Sequence, residues 1–304
     1  MARQRKGRDI SGILLLDKPV GMTSNAALQT VKRFYKAAKA GHTGNLDPAA
    51  SGLLPICLGE ATKISGYLLD SNKRYRGTCK LGIRTRSADA DGEIIETRPV
   101  PQFDAAELER VLRQFIGEIE QVPPMHSALK VNGVPLYKLA HQGQEIERKA
   151  RRITIYQLDL LARQGDELKL DIHCSKGTYI RTLAEDIGEE LGCGAHLNAL
   201  QRTRSGPFSL DQAISLAELA HVAEDGCEAL DSLLLPIQEA LEDWPRISLS
   251  ANSAYYLQQG QAVQVPHAPS QGWVQLERED GLFLGIGQIM EDGRVAPRRL
   301  IRSL

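Results

Sequence analysis

The chain has 304 residues, 42% of them hydrophobic, with 37 Lys and Arg against 38 Asp and Glu. This length predicts one large or two ordinary domains, with ample apolar material for a buried core. The longest apolar runs fall far short of the ~20 residues that a membrane helix needs, and nothing resembles a signal peptide. The composition therefore predicts a soluble, cytoplasmic protein with no membrane partner.

The cysteines and histidines show no spacing that is typical of a cross-link or a metal site. The 5 cysteines are scattered and never form a Cys-x-x-Cys pair, and the 7 histidines lack ligand spacing. We therefore expect neither disulfides nor a metal. Asp89-Ala90-Asp91-Gly92 resembles half of a calcium loop, but the other ligands are missing. A polar hairpin turn is the better interpretation.

The net charge of −1 hides a strong segregation of charge. Residues 1–40 hold nine Lys or Arg against two acids, and residues 129–152 hold six against two, whereas residues 222–243 hold seven acids and no Lys or Arg. Phosphate binding depends on the local potential over a surface and not on the total charge. A nucleic-acid partner is therefore compatible with this composition, although basic segments are also common as solvated tails and loops.

The first hundred residues predict strands and helices in irregular alternation. Apolar runs and alternation favour strands, and a Thr-Ser pair before periodic apolar residues favours a capped helix. In chain order we predict a strand at 13–16, a helix from Thr23 or Ser24 to about Lys39, an apolar stretch at 53–58, a short helix near 62–69, an alternating strand at 75–83, and a polar turn at 87–92 leading into a hairpin strand at 93–98.

Strands and helices continue to alternate after residue 100, and the sequence pattern changes after residue 243. Asp104 is expected to cap a helix through Phe115. Strands at 153–161 and 167–174 precede a helix from Thr178 to Leu191 that ends at Gly192. The acidic segment 222–243 is predicted to end the first domain, and the short apolar runs and glycines that follow it predict a small β-rich module. The fold class is α+β, with a mixed and mainly antiparallel sheet flanked by helices.

One loop is suited to chemistry. It reads Gly41-His42-Thr43-Gly44-Asn45-Leu46-Asp47-Pro48-Ala49-Ala50-Ser51-Gly52. Glycines permit positive φ and close approach of a ligand, and Pro48 biases Asp47 away from helix. A lone carboxylate held in this way fits a catalytic group. An Asp-Pro pair is also a common start of an ordinary turn, so spacing alone leaves both readings open.

The loop closely resembles the catalytic motif of the tRNA pseudouridine synthase B family, and further matching motifs run in order from residue 12 to about 208. These motifs are Lys18-Pro19-Val20-Gly21-Met22-Thr23-Ser24, Leu54-Pro55-Ile56-Cys57-Leu58-Gly59-Glu60-Ala61-Thr62-Lys63, Lys73-Arg74-Tyr75-Arg76, Ser127-Ala128-Leu129-Lys130 and Lys176-Gly177-Thr178-Tyr179-Ile180-Arg181-Thr182. The resemblance implies a pseudouridine synthase fold over residues 10–243. It also implies a small RNA-binding β-barrel, the PUA domain, over 246–304, with a looser match.

The resemblance also assigns roles to individual residues. It implies that Asp47 is the nucleophile or base at the sugar, with Arg181 as the cation that orients it and lowers its pKa. Tyr75 would stack on the target base and is a candidate for proton removal at C5. The remaining implied contacts to the RNA are Tyr179 as a hydrogen-bonding partner of the base, Leu200 as a pocket wall, and His42 as a ring that stacks where the base has left.

The implied activity is isomerisation of the uridine at position 55 in the tRNA T-loop, with no cofactor and no obligate protein partner. A mobile insertion at about 125–152 would grip the RNA through Lys130, Lys138, Arg148, Lys149, Arg151 and Arg152. We expect a monomer. Two alternatives remain open: a relative that depends on a guide RNA, and an RNA-binding factor that folds tRNA.

Three positions depart from the family pattern. Asn45 stands where alanine is common, His126 where an aromatic residue precedes Ser-Ala, and Gln201 where arginine usually follows the leucine. Gln201 would weaken a phosphate contact, for which Arg202 and Arg204 are close enough to compensate. None of the three removes a residue with an assigned chemical role.

Overall fold

The computed structural model describes residues 7–131 and 133–302. Its strands are β1 Gly12–Lys18, β2 Ala40–His42, β3 Ala50–Leu58, β4 Lys73–Leu81, β5 Ile83–Thr85, β6 Ile94–Thr97, β7 Gly117–Gln121, β8 Lys130–Val131, β9 Val134–Pro135, β10 Arg151–Gln164, β11 Glu167–Cys174, β12 Ala195–Ser205, β13 Phe208–Ser209, β14 Ile214–Ser215, β15 Arg246–Leu249, β16 Trp273–Arg278, β17 Phe283–Ile289 and β18 Val295–Leu300.

The α-helices are α1 Ser24–Phe34, α2 Ser65–Leu69, α3 Ala105–Arg113, α4 Leu136–His141, α5 Ile180–Glu190, α6 Leu216–Glu224, α7 Cys227–Asp231 and α8 Ala251–Gln258. Short 3₁₀ turns occupy Gly59–Lys63, Leu210–Gln212 and Ile237–Leu241. Within the described ranges, no helix is both long and apolar enough to cross a membrane.

A mixed sheet organises most of the chain. Its strand order is β14-β1-β3-β12-β4-β11-β10-β7, with β2 added to β3 and β13 added to β12. Only the β1–β14 and β3–β12 pairs are parallel among these described strands. The prediction of an α+β fold with a mainly antiparallel sheet is confirmed. A hairpin forms around the polar turn, between β5 and β6. The prediction that the strand at 75–83 is its first arm is wrong, because β4 ends at Leu81 and pairs with β11 and β12.

Local sequence signals explain where the helices begin. The Thr23 hydroxyl accepts the Ala26 amide at 3.1 Å, and the Asp104 carboxylate accepts the Glu107 amide at 2.8 Å. Such caps satisfy amides that have no partner within the helix. The prediction that α1 reaches Lys39 is wrong, because the helix ends at Phe34 and Lys36 adopts a positive φ of 49°.

The sheet buries a core on each face. One core lies between the sheet and helices α1, α3 and α5. The other combines Ile13 and Leu53 of β1 and β3 with Phe283 and Ile286 of β17. The C-terminal part of the chain is therefore packed against the main sheet. The acidic segment 222–243 is also packed, since Leu235 and Ile13 exchange backbone hydrogen bonds of 3.0 and 2.9 Å.

The C-terminal module has a sheet and a core of its own. Its strand order is β15-β16-β17-β18. Its apolar cluster includes Leu249, Leu257, Val274 and Leu276, which are fully buried. The β-rich texture predicted from the sequence is present, but helix α8 was not predicted. Leu257 of α8 contributes to the cluster, so this helix closes one side of the small core.

An aromatic cluster joins the C-terminal module to the rest of the chain. The Tyr67 ring on α2 meets Trp244 and Trp273 edge-on, with centroid distances of 5.5 and 4.9 Å. The two tryptophans stack at 5.8 Å. Aromatic pairs with these geometries contribute about 0.5–1.5 kcal/mol beyond the area they bury.

We therefore predict that Trp273→Ala lowers the free energy of unfolding by about 2 kcal/mol, since it removes a half-buried indole and two aromatic contacts. Thermal unfolding followed by circular dichroism measures the change. Tyr255→Ala is the matched control, because Tyr255 is 59% exposed and its ring contacts Tyr256 of the same helix and not the junction, so it should change stability by less than Trp273→Ala does. Equal melting temperatures for the wild type and Trp273→Ala would contradict a stabilising junction.

Candidate active site

The loop that carries Asp47 connects β2 to β3 and is fixed at several points. The Ser24 hydroxyl, at the start of α1, accepts the Leu46 amide at 2.7 Å and donates to the Leu46 carbonyl at 3.0 Å. The Gly21 amide donates to the Pro48 carbonyl at 2.8 Å. Gly44 has a φ of 135°, in the region that favours glycine. The loop therefore presents Asp47 in one orientation.

Arg202 of β12 fixes the loop from the interior of the protein. Its side chain is fully buried, and its guanidinium donates to the carbonyls of Leu53 at 2.7 Å, Asn45 at 3.2 Å and Gly44 at 3.3 Å. The expectation that Arg202 contacts phosphate is therefore wrong, because the planar guanidinium is occupied by backbone oxygens in the interior. Arg204, two residues further along β12, is exposed.

Arg181 holds the Asp47 carboxylate from the second position of α5. Its Nη2 lies 3.0 Å from Asp47 Oδ2 and donates to the His126 carbonyl at 2.7 Å. Its Nη1 lies 3.0 Å from Asp89 Oδ2 and donates to the Ser87 carbonyl at 3.2 Å. The guanidinium is buried and uses both ends of its fork, so its direction is fixed. The sequence reasoning assigned Asp89 only to a turn and missed this contact.

Burial and Arg181 act on the pKa of Asp47 in opposite directions. Burial within the pocket raises the pKa of the Asp47 carboxyl, and the nearby Asp89 charge reinforces this shift. Arg181 lowers the pKa, as expected, but burial outweighs it and the net direction is upward. The side chain is still 43% exposed, and this exposed part faces the cavity described next.

The cavity beside Asp47 has a volume of about 270 Å³. Tyr75, Tyr179, Arg181 and Leu200 line it together with Asp47. Ligand cavities in proteins run from about 300 Å³ upward, so this one is of a size for a small planar group. Five of the six residues that the resemblance singled out thus meet at one cavity.

Tyr75 lies on β4 with its ring buried, whereas its neighbours Arg74 and Arg76 point to the other side of the sheet. This confirms the alternation predicted from the sequence. Burial raises the pKa of the Tyr75 phenol, and the Arg202 guanidinium, which hydrogen-bonds it, opposes that shift. The two residues are direct cross-strand neighbours in the β4–β12 pair.

Tyr179 precedes α5 and is held through its backbone. Its amide donates to Gln121 Oε1 at 2.7 Å, and Gln121 Nε2 donates to the Tyr179 carbonyl at 3.0 Å. Gln121 is buried, so β7 fixes the position from which Arg181 emerges two residues later. The helix begins at Ile180 and not at Thr178, because Tyr179 is extended with φ −100° and ψ 106°.

His42 is the implied site residue that does not line the cavity. It is half-buried on β2, and its Nδ1 has no hydrogen-bond partner among the described residues. Burial, with a smaller effect of Arg202, lowers the pKa of the imidazole. His42 precedes the cavity-lining Gly44 by two residues, and a neutral ring at this position is compatible with stacking on RNA outside the cavity.

Two buried lysines near the site were not recognised in the sequence. Lys18 Nζ donates to the carbonyls of Pro19 at 2.8 Å and Met22 at 2.7 Å, and burial lowers its pKa to about 8. Lys73 lines the cavity and donates to the carbonyls of Leu69 at 2.7 Å and Ser71 at 2.5 Å, and burial lowers its pKa to about 8 as well. Both lie in motifs that were quoted above without a chemical role.

The basic residues of the segment 125–152 differ in accessibility. Lys130, Lys138, Lys149, Arg151 and Arg152 are exposed. Arg148 is partly buried, donates to the Pro123 carbonyl at 3.1 Å and pairs with Glu145 at 3.1 Å. Five of the six cations expected to meet RNA are thus accessible, and the sixth is engaged within the protein.

Comparisons with known proteins cover nearly the whole chain. Residues 32–180 match the family described as "TruB family pseudouridylate synthase (N terminal domain)". Residues 181–242 match "tRNA pseudouridylate synthase B C-terminal domain", and residues 245–301 match "Pseudouridine synthase II TruB, C-terminal". The boundary between the last two lies at the acidic segment.

The full-length relatives agree with these matches. The chain is 58% identical to a tRNA pseudouridine synthase B of Nitrosococcus oceani, over 100% of this chain and 99% of that protein. It is 55% identical to a tRNA pseudouridine synthase B of Stutzerimonas stutzeri, over 99% and 98%.

Among solved structures, the chain is similar to one in a Cbf5-Nop10-Gar1 complex, with 26% identity, 96% of this chain and 84% of that chain covered, and a TM-score of 0.74. A chain of an H/ACA RNP bound to a substrate RNA matches in fold, with a TM-score of 0.76 at 24% identity, over 100% of this chain and 92% of that one. The fold is therefore that of pseudouridine synthases. From its close and full-length similarity to the bacterial relatives, the chain belongs to the tRNA pseudouridine synthase B family.

Proposed function

We propose that this protein isomerises uridine to pseudouridine at position 55 in the T-loop of tRNA, without a cofactor. One observation carries the proposal: the Asp47 carboxylate is ion-paired with the buried Arg181 at the wall of a small cavity that two tyrosines also line. The activity named for the relatives at 55–58% identity supports it. A cavity of this size and lining suits one base that has left its stack.

The reaction rearranges bonds within one nucleotide. The bond between N1 of uracil and C1′ of ribose breaks, the base turns while bound, and a bond between C5 and C1′ forms. A proton leaves C5, and N1 gains one. No electron or group is exchanged with another molecule, so a carboxylate and proton-transfer groups are sufficient.

Asp47 acts on the sugar, either as a nucleophile at C1′ or as a base. Both roles require the ionised carboxylate. Burial in the pocket disfavours ionisation, and Arg181 counteracts this effect while it fixes the oxygen that faces the cavity. Asp89 and the Ser87 and His126 carbonyls hold Arg181 in turn, so the carboxylate does not need to reorganise when RNA binds.

The tyrosines act on the base. Tyr75 stacks on the uracil and is the candidate for removal of the C5 proton, and Tyr179 hydrogen-bonds the base. Leu200 closes the wall of the pocket. His42, which does not line the cavity, is the ring that occupies the space left in the RNA.

The RNA is held by cations outside the pocket. Flipping a stacked base costs a few kcal/mol, which contacts elsewhere must offset. The exposed cations of the segment 125–152 provide phosphate contacts for this purpose. We also propose that residues 10–243 form the catalytic domain and 246–304 a PUA-like RNA-binding domain, since the second sheet has its own core.

We propose that the protein acts alone, as a cytoplasmic monomer, on the T-arm of tRNA. The rival reading is guide-dependent modification, because the chain shares its fold with a component of an H/ACA RNP. The much higher identity to tRNA pseudouridine synthase B proteins favours the stand-alone reading. Purified protein and a bare T-arm hairpin without guide RNA separate the two.

We predict that the wild type converts the T-loop uridine of such a hairpin and that Asp47→Asn does not, with a rate lower by about four orders of magnitude or more. Carbodiimide labelling of the treated RNA detects pseudouridine at nucleotide resolution. Asp91→Asn is the matched control, because Asp91 is exposed and lies in the same part of the fold as Asp89. Conversion of the uridine by Asp47→Asn would contradict the proposal. Failure of the wild type to convert the hairpin unless guide RNA is added would contradict it as well.

The pH dependence tests the electrostatics of the site. Because Asp47 must be ionised, the acid limb of kcat/KM follows its pKa and is expected above the ordinary value for an aspartate, ~3.9. Arg181→Gln removes the positive charge that lowers the pKa of Asp47. This pKa therefore rises further, and the acid limb of the activity that remains moves to higher pH. Removing a like charge in Asp89→Asn moves the limb to lower pH.

Single-turnover rates on the T-arm hairpin measured across pH give these limbs. The decisive result is that the acid limb moves to higher pH in Arg181→Gln and to lower pH in Asp89→Asn. If both variants keep the wild-type limb and differ only in rate, the acid limb belongs to a group other than Asp47.

A further inference from the structure

A second cavity of about 480 Å³ lies where β4 begins, at the end of the central sheet. Asn72, Arg74, His173, Arg204 and Asp243 are among the residues that line it. Lys73 lines both this cavity and the active-site cavity, so the two are neighbours. No residue with a role in the proposed reaction lines the second cavity.

Strand register builds one wall of this cavity. Arg74 on β4 pairs with His173 on β11 and with Arg204 on β12. These three side chains therefore form a row across adjacent strands, on the side of the sheet opposite the Tyr75 ring. Because the three residues lie on three different strands, no local sequence motif indicates that they are neighbours.

An exposed aromatic residue, Tyr156, contacts two of the residues that line this cavity. Tyr156 lies at an irregularity of β10 between Ile155 and Gln157, where a residue of the strand is left without a partner. Its ring lies 5.0 Å from the His173 ring at an angle of 43°, and its hydroxyl lies 3.4 Å from Asn72 Oδ1. Tyr156 is 48% exposed, so a large part of the ring is available to a ligand.

The charges around the rings suit a nucleotide. Arg74 is engaged with Asp171 at 2.5 Å, whereas Arg204 has no ion-pair partner among the described residues. Burial, followed by the charges of Arg74 and Arg204, lowers the pKa of His173, so its ring is neutral at pH 7. The cavity thus combines the Arg204 cation, an uncharged aromatic pair, and the carboxylates of Asp243 and Asp70, of which Asp70 is paired with Lys176 at 2.9 Å.

We propose that the cavity lined by His173 and Arg204, together with the adjacent Tyr156 ring, is a second nucleotide subsite, which takes an unpaired base of the same RNA whose target uridine enters the active site. The base stacks against Tyr156 and His173, and Arg204 meets its phosphate. Asp243 accepts a hydrogen bond from an amino group or a ring N–H on the base edge. This inference rests on the proposed function and extends it to a neighbouring nucleotide.

A duplex stem would use this surface differently. A stem offers mainly phosphates and sugars to this row of side chains, so it would bring phosphate close to the Asp243 carboxylate. Its bases remain stacked, and they would not contact the rings of Tyr156 and His173. Single-stranded binding uses aromatic faces together with cations that follow the backbone. The mixture of groups therefore favours one splayed base over a stem.

The test is a cycle between protein variants and abasic RNA. Labelled T-arm hairpins, each abasic at one unpaired loop position other than the target uridine, are titrated by fluorescence anisotropy with the wild type and with Tyr156→Ala. We expect one abasic position to weaken wild-type binding by about tenfold. Tyr156→Ala should weaken binding of the intact hairpin by a similar factor and show no further loss at that position.

Two controls separate stacking from charge and from misfolding. Tyr156→Phe keeps the ring and should bind as the wild type does, whereas Arg204→Gln should weaken every hairpin and reduce the salt dependence of binding by about one phosphate contact. Melting curves show that each variant is folded. Pseudouridine in the wild-type samples is scored in parallel, so failure of the proposed function appears as unmodified RNA.

The outcomes are distinct. Loss at one abasic position that disappears in Tyr156→Ala supports the subsite. Independent, additive losses in the cycle, or equal affinity of the wild type and a folded Tyr156→Ala for the intact hairpin, would overturn it even if the uridine is converted. A loss in Tyr156→Ala that is the same for all hairpins would identify a general backbone contact and would also overturn it.

Discussion

The site depends on the fork of Arg181. One buried guanidinium spans Asp47 on one side and Asp89 on the other, at 3.0 Å each. Removing a charge from water is costly unless its partners are well placed, so this arrangement requires that three distant parts of the chain meet correctly. The loop before β3, the turn after β5 and the start of α5 must all be in position for any of the three charges to be satisfied.

The scaffold around this fork is built from backbone contacts. Arg202 binds the carbonyls of Leu53, Asn45 and Gly44, and Gln121 binds Tyr179 through both of its amide atoms. Such contacts fix the chain itself and not merely a side chain. A catalytic carboxylate on a loop thereby acquires the precision that is usually found on a strand or a helix.

Much of the fold follows from short-range signals. The caps at Thr23 and Asp104, the alternation along β4 and the hairpin of β5 and β6 each depend on a few neighbouring residues. The implied site residues other than His42 line one cavity. The end of α1 was missed, because Lys36 adopts a positive φ that no local sequence signal indicated.

Two of the residues that sequence reasoning missed, Asp89 and Arg202, act across long separations. Asp89 meets Arg181 92 residues away, and Arg202 meets Asn45 157 residues away. Nothing near Asp89 distinguishes it from a turn residue, and nothing near Arg202 distinguishes it from a surface cation. Their roles follow from burial and strand pairing, which the local pattern does not encode.

The buried cations have a consequence for the binding of RNA. Lys18, Lys73, Arg181 and Arg202 are all buried near Asp47, and each donates hydrogen bonds to backbone carbonyls. Their charges add a positive potential beneath the loop, where no surface cation could supply it. A polyanion that covers the site gains from this potential, and so does the ionised form of Asp47, whose pKa Arg181 and Lys18 lower.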